Sequence, residues 1–455
     1  MKYALAPAQS SCALRPKEVG TLIVGGGPAG TAVLLAADRM GLLPQLLDKG
    51  LALVERGARI GGGNLKRYDI ASDTAADSFL DAIRNSPQPS IRALAGHPAA
   101  RDVASYSAAL GVPLPLAAEL LDRIGDSLRQ AVEEGGGTVL THNKVMEARP
   151  THIGLWRCLV SDLETKERYV VLARNIVVAT GGTQPFSLLR GQSVAGISLT
   201  QRYPDRLILP DHLLARGGIE LLRSCIGGKS NPEIVIIGGS SSAISAANLI
   251  LSRSDLIGPN GRVTLVHRSP LKPFYASEQA ARAEGFAAFV PEDICPVSGA
   301  VNRLGGLKLE QRQLILEALG IAGRAPDPRL HLHRLDRHDP METLAALDRA
   351  DAIVAALGYR PVGMTFRDEE GLPIPLLADG PGHPPMIDQH CRVLKTSGNP
   401  LPNVYGIGLA SGYRPDPHFG GETSFRGQVN DVRMWQSEAG PRIVEQLLST
   451  GRERF

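Results

Sequence analysis

Thr21-Leu22-Ile23-Val24-Gly25-Gly26-Gly27-Pro28-Ala29-Gly30 is the stretch on which the reading of this 455-residue chain turns. The apolar, β-branched run predicts a strand, the glycine cluster a tight turn, and the largely apolar residues 31–40 a helix. Gly25, Gly27 and Gly30 have the spacing that lets the backbone turn sharply, lets a pyrophosphate approach the chain, and lets the helix pack close to the strand. The helix opened by Pro28 and Ala29 would aim its N-terminal N–H groups at that anion. Leu51-Ala52-Leu53-Val54 predicts the next strand, and Glu55 at its end is placed to accept ribose hydroxyls, with Arg56 beside it. Glu55 stands further from Gly25 than the usual ~20 positions, and residues 41–50 read as a local insertion.

The unit recurs. Ile234-Val235-Ile236-Ile237 leads into Gly238-Gly239-Ser240-Ser241-Ser242-Ala243, an apolar helix over 244–251 and a strand over 262–266. Ser240 replaces the middle glycine and Ala243 the third, side chains small enough to admit a phosphate. His267, Arg268 and Lys272 follow where an acid would select NADH; a cation there holds a 2′-phosphate, so NADPH is favoured. Two βαβ units make the chain α/β.

Between the turns, 104–134 predicts a helix and short strands are expected near 138–141, 155–160 and 169–172. A strand over 175–179 then ends in Thr180-Gly181-Gly182. Pro210 and Asn231-Pro232 mark a linker, and helices over 277–288 and 308–322 form an extra lobe. A strand over 351–356 ends at Leu357-Gly358-Tyr359-Arg360-Pro361, and Asn403-Val404-Tyr405-Gly406-Ile407-Gly408 precedes a terminal helical region. The second unit is therefore inserted within the first.

Composition narrows the function. With 49 Lys+Arg against 46 Asp+Glu and a net charge of +3, scattered bases give neither a nucleic-acid surface nor a polybasic membrane anchor. Cys12, Cys158, Cys225, Cys295 and Cys391 are odd in number and far apart, which removes a disulfide framework or a Cys-x-x-Cys pair and points to a reduced, cytoplasmic setting. The start of the chain lacks a secretory core, and the uncharged run 21–37 is broken by glycine and proline. His331-Leu332-His333 places two imidazoles on one strand face without an evident third ligand, so no metal is expected. His212 and His418 read as loop histidines, and no nucleophile elbow supports a hydrolase.

GGGPAG at 25–30, ATGG at 179–182, GGSSSA at 238–243, LGYRP at 357–361 and NVYGIG at 403–408 together resemble the two-dinucleotide-binding-domain flavoproteins over most of residues 20–455. The resemblance implies a Rossmann-like FAD domain (1–200 and 359–455) interrupted by a Rossmann-like NADPH domain (201–358), with a small helical lobe at about 273–325. That family usually has Gly-Asp at the end of the final strand; here Leu409 follows Gly408. Without a dithiol, and with a second turn that one-fold flavin hydroxylases lack, the chain is most similar to NADPH-dependent single-component flavin monooxygenases, the N-hydroxylating branch above all.

By that resemblance NADPH gives hydride to flavin N5, O₂ adds at C4a, and a neutral amine or amino-acid amine takes the distal oxygen. A pocket that desolvates the amine keeps it neutral. Asn64 and Lys66, in the glycine-rich run that includes Gly62 and Gly63, are the expected catalytic pair, free to hydrogen-bond flavin, NADP or a substrate carboxylate. Residues 420–430 are expected to begin a helix facing the flavin's pyrimidine edge, with Gln428 and Asn430 toward it. Thr180, Gly181, Gly358 and Tyr359 complete the expected cofactor contacts. The alternatives are a flavin-dependent NADPH reductase serving a small acceptor or partner protein, and a non-catalytic flavin or nucleotide binder. The apolar lobe could pair with a second copy of the chain.

Overall fold

The computed structural model describes residues 15–106, 110–336, 338–380, 382 and 384–449, so Cys12 lies outside the described residues. The glycine-turn strand Glu18–Val24 sits in the middle of a large sheet, its apolar end buried on both faces as a parallel strand requires. It pairs in parallel with Leu51–Val54 on one side and with the long strand Arg168–Val178 on the other. Leu51–Val54 pass the pairing to Thr138–Leu140. Arg168–Val178 carry the parallel strand Pro400–Gly406 as well as an antiparallel meander through Trp156–Asp162 and Asn143–Pro150.

The second sheet has five strands among the described residues, all parallel, in the order Leu207–Ile208, Ala352–Ala355, Glu233–Ile237, Arg262–His267, Leu330–Arg334. Glu233–Ile237 is central there as Glu18–Val24 is in the first. The two crossings between sheets lie side by side, Gly182–Thr183 pairing antiparallel with Arg360–Pro361. The chain then returns to the first sheet through Thr365–Phe366. The fold is α/β with two Rossmann-like units.

Several elements differ from expectation for local reasons. The extra length before Glu55 is a short helix, Leu43–Asp48, bracketed by Gly41 and Gly50 at φ +69° and +86°. The long helix starts at Leu114, not 104, because Gly111 is pressed against Ser72, where a Cβ would meet the carbonyl oxygen at 2.1 Å, and Pro113 stands at the cap. The expected strands at 169–172 and 175–179 are one strand. The lobe helices are only Glu278–Ala283 and Leu309–Ala318, each followed closely by a left-handed glycine, Gly285 and Gly320, that ends the helix. No helix among the described residues is long and apolar enough to cross a membrane.

Candidate active site

Both glycine turns open on one cleft of about 2020 Å³, larger than the ~300–1,000 Å³ of an ordinary small-molecule pocket. At the first turn, a Cβ on Gly25 would meet Ala179 O at 2.4 Å and one on Gly30 would meet Gly25 O at 1.9 Å. A Cβ on Gly27 would meet only Gly63 Cα, at 3.6 Å. Gly25 and Gly30 are thus glycine for packing, while Gly27 faces the cleft, where an anion can approach. Gly27 caps the helix Pro28–Arg39 with no side-chain bond, leaving first-turn N–H groups to a ligand.

Glu55 accepts Gly26 N at 2.6 Å and Gly57 N at 2.7 Å. Each carboxylate oxygen keeps a further lone pair for a sugar hydroxyl, and Glu55 and the exposed Arg56 both line the cleft. Gly62 N is held at 2.8 Å by the buried Asp122, with Lys66 Nζ 4.0 Å from the same carboxylate. Gly63, Asn64 and Lys66 line the cleft, the two side chains exposed to it. Thr180, whose hydroxyl donates to Val362 O, and Gly181 form the floor with Leu409. Gly408, at φ +115°, lies behind the lining, where a Cβ would meet Ala29 Cβ at 2.9 Å.

The closing segment corrects one expectation. Residues 420–430 are not helical, with Gly420 and Gly421 at φ +81° and +137°. The helix starts at Val432, capped by Asp431, which accepts Arg433 N at 2.8 Å. Gln428 and Asn430 belong to the strap that precedes it and line the cleft, Asn430 Oδ1 accepting Ala410 N at 2.8 Å.

At the second turn, Gly238 is at φ +136°, with a Cβ position 2.5 Å from Ala356 O. Ser240, Ser241 and Ser242 line the cleft, and Ala243 is buried behind them. Arg268 is exposed along the same wall. Two residues expected beside it point elsewhere. Lys272 is paired with Asp293 and reaches Ser424 Oγ at 3.3 Å, pinning the strap to the lobe, while the His267 ring is buried against Ser269 O at 2.8 Å. Gly358 and Tyr359 line the cleft. The Tyr359 hydroxyl is pushed up to about 12 by burial and by the nearby Asp211, against hydrogen bonds from Tyr68 and Ser242.

Elsewhere His333 Nε2 bonds Thr343 Oγ1 at 2.7 Å, and His418 Nδ1 lies 2.7 Å from Asp416 Oδ1. Neither these nor His212 line the cleft. Sequence reasoning missed Asp73, Asp122, Gln311, Glu422 and Asp431. Glu422 is buried and accepts Leu304 N and Gly305 N at 2.9 and 2.8 Å, seating the lobe's loop on the strap.

No family model matches the chain. It is 28% identical over 447 residues to CMP-5′-(3-aminopropyl)phosphonate hydroxylase of Streptomyces rubellomurinus, covering 95% of this chain and 98% of that protein. It is 24% identical over 411 residues to monooxygenase AgnR1 of Paecilomyces divaricatus, covering 87% and 90%. Among solved structures, DfoA, the FAD-bound cadaverine monooxygenase of Erwinia amylovora, matches with a TM-score of 0.54 at 11% identity, covering 95% of each chain. The reduced form of ornithine hydroxylase PvdA from Pseudomonas aeruginosa matches at 0.52 and 15%, covering 95% of this chain and 99% of that one. The solved structures share the fold over almost the whole chain, and the two relatives matched by sequence are a hydroxylase and a monooxygenase.

Proposed function

We propose that the chain is an FAD- and NADPH-dependent monooxygenase that uses O₂ to N-hydroxylate a small amine or amino acid. The observation that carries this reading is the single cleft lined by both glycine turns, so that dinucleotides on the two cradles would share one space. The residues fit both groups. Gly27 and the N–H groups of helix Pro28–Arg39 would hold the FAD pyrophosphate and Glu55 its ribose, while Ser240 to Ser242 and Arg268 would take NADPH and its 2′-phosphate. The interrupted 1–200 and 359–455 domain would hold FAD and the inserted 201–358 domain NADPH. Bound FAD supplies hydride acceptance and the activation of oxygen.

The protein's part is orientation and exclusion of water. Asn64 and Lys66 stand on the first wall, exposed to the cleft. Leu65, Phe274, Leu409 and Phe425 give the cleft apolar surface that disfavours a charged amine and so supports the neutral form. Among the described residues no cysteine lines the cleft, which disfavours dithiol chemistry. The names of the hydroxylase and monooxygenase relatives support the reaction class.

The test is anaerobic mixing of the FAD-loaded protein with NADPH, followed by oxygen and a panel of primary amines. The expected result is flavin bleaching, then hydroxylamine formed in step with NADPH consumed. Bleaching with electrons passed only to a small acceptor would establish the reductase reading instead, and absence of bleaching a non-catalytic binder.

A further inference from the structure

The turn that carries Asn64 and Lys66 is held from behind by a carboxylate of the other Rossmann-like unit, one that the cofactor assignment does not use. Asp211 follows the edge strand Leu207–Ile208 of the second sheet, is 8% exposed and does not line the cleft. Its Oδ1 accepts the Tyr68 hydroxyl and its Oδ2 lies 3.3 Å from Arg67 Nη2, while its own N–H donates to Gln184 Oε1 at 3.0 Å. Arg67 ends the single 3₁₀ turn Leu65–Arg67, and Tyr68 follows it. The backbone is tied across the same boundary, Asp69 N donating to Leu214 O at 2.8 Å and Arg216 N to Arg67 O at 2.9 Å. A buried carboxylate is costly unless it is paired, so the pairing and the backbone ties fix this turn to the second unit together.

The bonding continues into the second cradle. The Tyr68 hydroxyl also hydrogen-bonds that of Tyr359, which hydrogen-bonds Ser242, and both rings line the cleft. Asp211, Tyr68, Tyr359 and Ser242 thus form one series, from a buried anion to a hydroxyl that a nucleotide phosphate would recruit. An ionised carboxylate only accepts, so the Tyr68 proton is committed to Asp211. The Arg67 guanidinium, 5.3 Å from the Tyr68 ring centre, adds a second restraint on the ring. A phosphate on Ser242 makes a charge-assisted bond stronger than the one to a phenol, so filling the cradle takes a partner from Tyr359 and redistributes the bonds of the series.

We infer that Asp211 and Tyr68 are positioning residues that make the setting of the Asn64–Lys66 turn depend on whether the second cradle is filled. The assignment rests on the NADPH site of the reading above and adds two residues outside that site. Binding linkage is reciprocal, so whatever orders the turn also raises nucleotide affinity by the same factor. A filled second cradle would therefore set the flavin-side wall before hydride is transferred.

The experiment measures amide hydrogen exchange over residues 64–70 in oxidised, FAD-loaded protein with and without NADP⁺. In wild type NADP⁺ is expected to slow exchange there about fivefold or more. Tyr68→Phe, which removes one hydroxyl and keeps the ring, is expected to abolish that change, and so is Asp211→Asn. In stopped-flow mixing with NADPH, Tyr68→Phe should lower the limiting rate of flavin reduction about tenfold while the NADPH dissociation constant moves less than about twofold. Tyr68→Phe combined with Tyr359→Phe should be no slower than the slower single variant, because the two hydroxyls act in one series. An NADP⁺ effect on exchange that survives in Tyr68→Phe, or rate losses that simply add, would overturn the inference. Should NADPH leave the wild-type flavin oxidised, the hydroxylase reading falls, and the exchange measurement still decides whether the series couples cradle to turn.

Discussion

The two glycine turns share a backbone plan and differ in what fills it. Gly25 N bonds Val54 O at 2.8 Å and Gly238 N bonds Val266 O at 2.9 Å; Ala179 N bonds Val24 O and Ala356 N bonds Ile237 O, both at 2.8 Å. In each the first glycine has positive φ and faces a carbonyl too close for a side chain. The first turn is then stripped to backbone at Gly27 and Gly30, whereas the second carries Ser240 and Ala243 in the corresponding places. Its hydroxyls are shared, Ser241 with Asp73 and Ser242 with Tyr359. A bare backbone cradle suits a cofactor that stays; a cradle of shared hydroxyls, which a ligand must recruit from existing partners, suits a dinucleotide that comes and goes.

The third position breaks the comparison most sharply. Gly30→Ala would drive its methyl against Gly25 O, and overpacking against immobile backbone costs about 3 kcal/mol or more. The expected outcome is near-complete loss of bound flavin, read from visible absorbance after gel filtration. Ala243→Gly opens no such clash and is expected to cost about 1 kcal/mol of stability through helix propensity, with NADPH affinity changed less than about twofold in a fluorescence titration. Equal losses in the two variants would show that the turns do not differ in kind.

Next in size is Glu55. Removing its charge weakens bonds to Gly26 N and Gly57 N as well as to the proposed ribose, and charge-assisted hydrogen bonds contribute about 1.5–3 kcal/mol. Glu55→Gln is expected to raise the FAD dissociation constant by about 10- to 100-fold while leaving NADPH binding unchanged. Arg268→Ala should act only on the other cradle. A roughly tenfold rise in KM for NADPH with no change for NADH is the expected result, measured by steady-state flavin reduction. A parallel rise for both nucleotides would remove Arg268 from the 2′-phosphate.

How much of this could be read beforehand follows from the range of the interactions. The glycine positions are constrained by backbone within a few residues, so spacing alone exposed Gly25, Gly27, Gly30 and Gly238. The parallel strands were visible for the same reason, as apolar runs entering those turns. Lys272 could not be placed by spacing, because its partner Asp293 belongs to the lobe and Ser424 to the strap. Asp73 and Asp431 carry no motif at all; each becomes part of the cleft only when chain segments far apart in sequence meet. The helix at Val432 was expected too early, over 420–430, because nothing local in the sequence shows that Gly420 packs against Arg303, Cys295 and Val297 of the lobe.

The smallest expected effect concerns how the strap is fastened to the lobe. Cys295 is buried in the lobe, and its Sγ accepts Gly421 N at 3.1 Å, Ser298 N at 3.4 Å and Arg303 Nη1 at 3.5 Å. Burial alone would raise the thiol, but these donors outweigh it and bring the group from 9.0 down to about 6. A depressed folded value stabilises the native state above the unfolded value, and the contribution is lost as pH falls from 9.0 toward about 6. Thermal stability should therefore rise with pH across that window by a component that Cys295→Ala abolishes. The substitution itself is expected to cost about 1 kcal/mol, the scale of a lost hydrogen bond. Among the described residues no thiol lines the first cradle, so flavin retention should not follow this pH dependence. A melting temperature that tracks pH identically in wild type and Cys295→Ala would show that ionisation of the Cys295 thiol does not help to hold the strap.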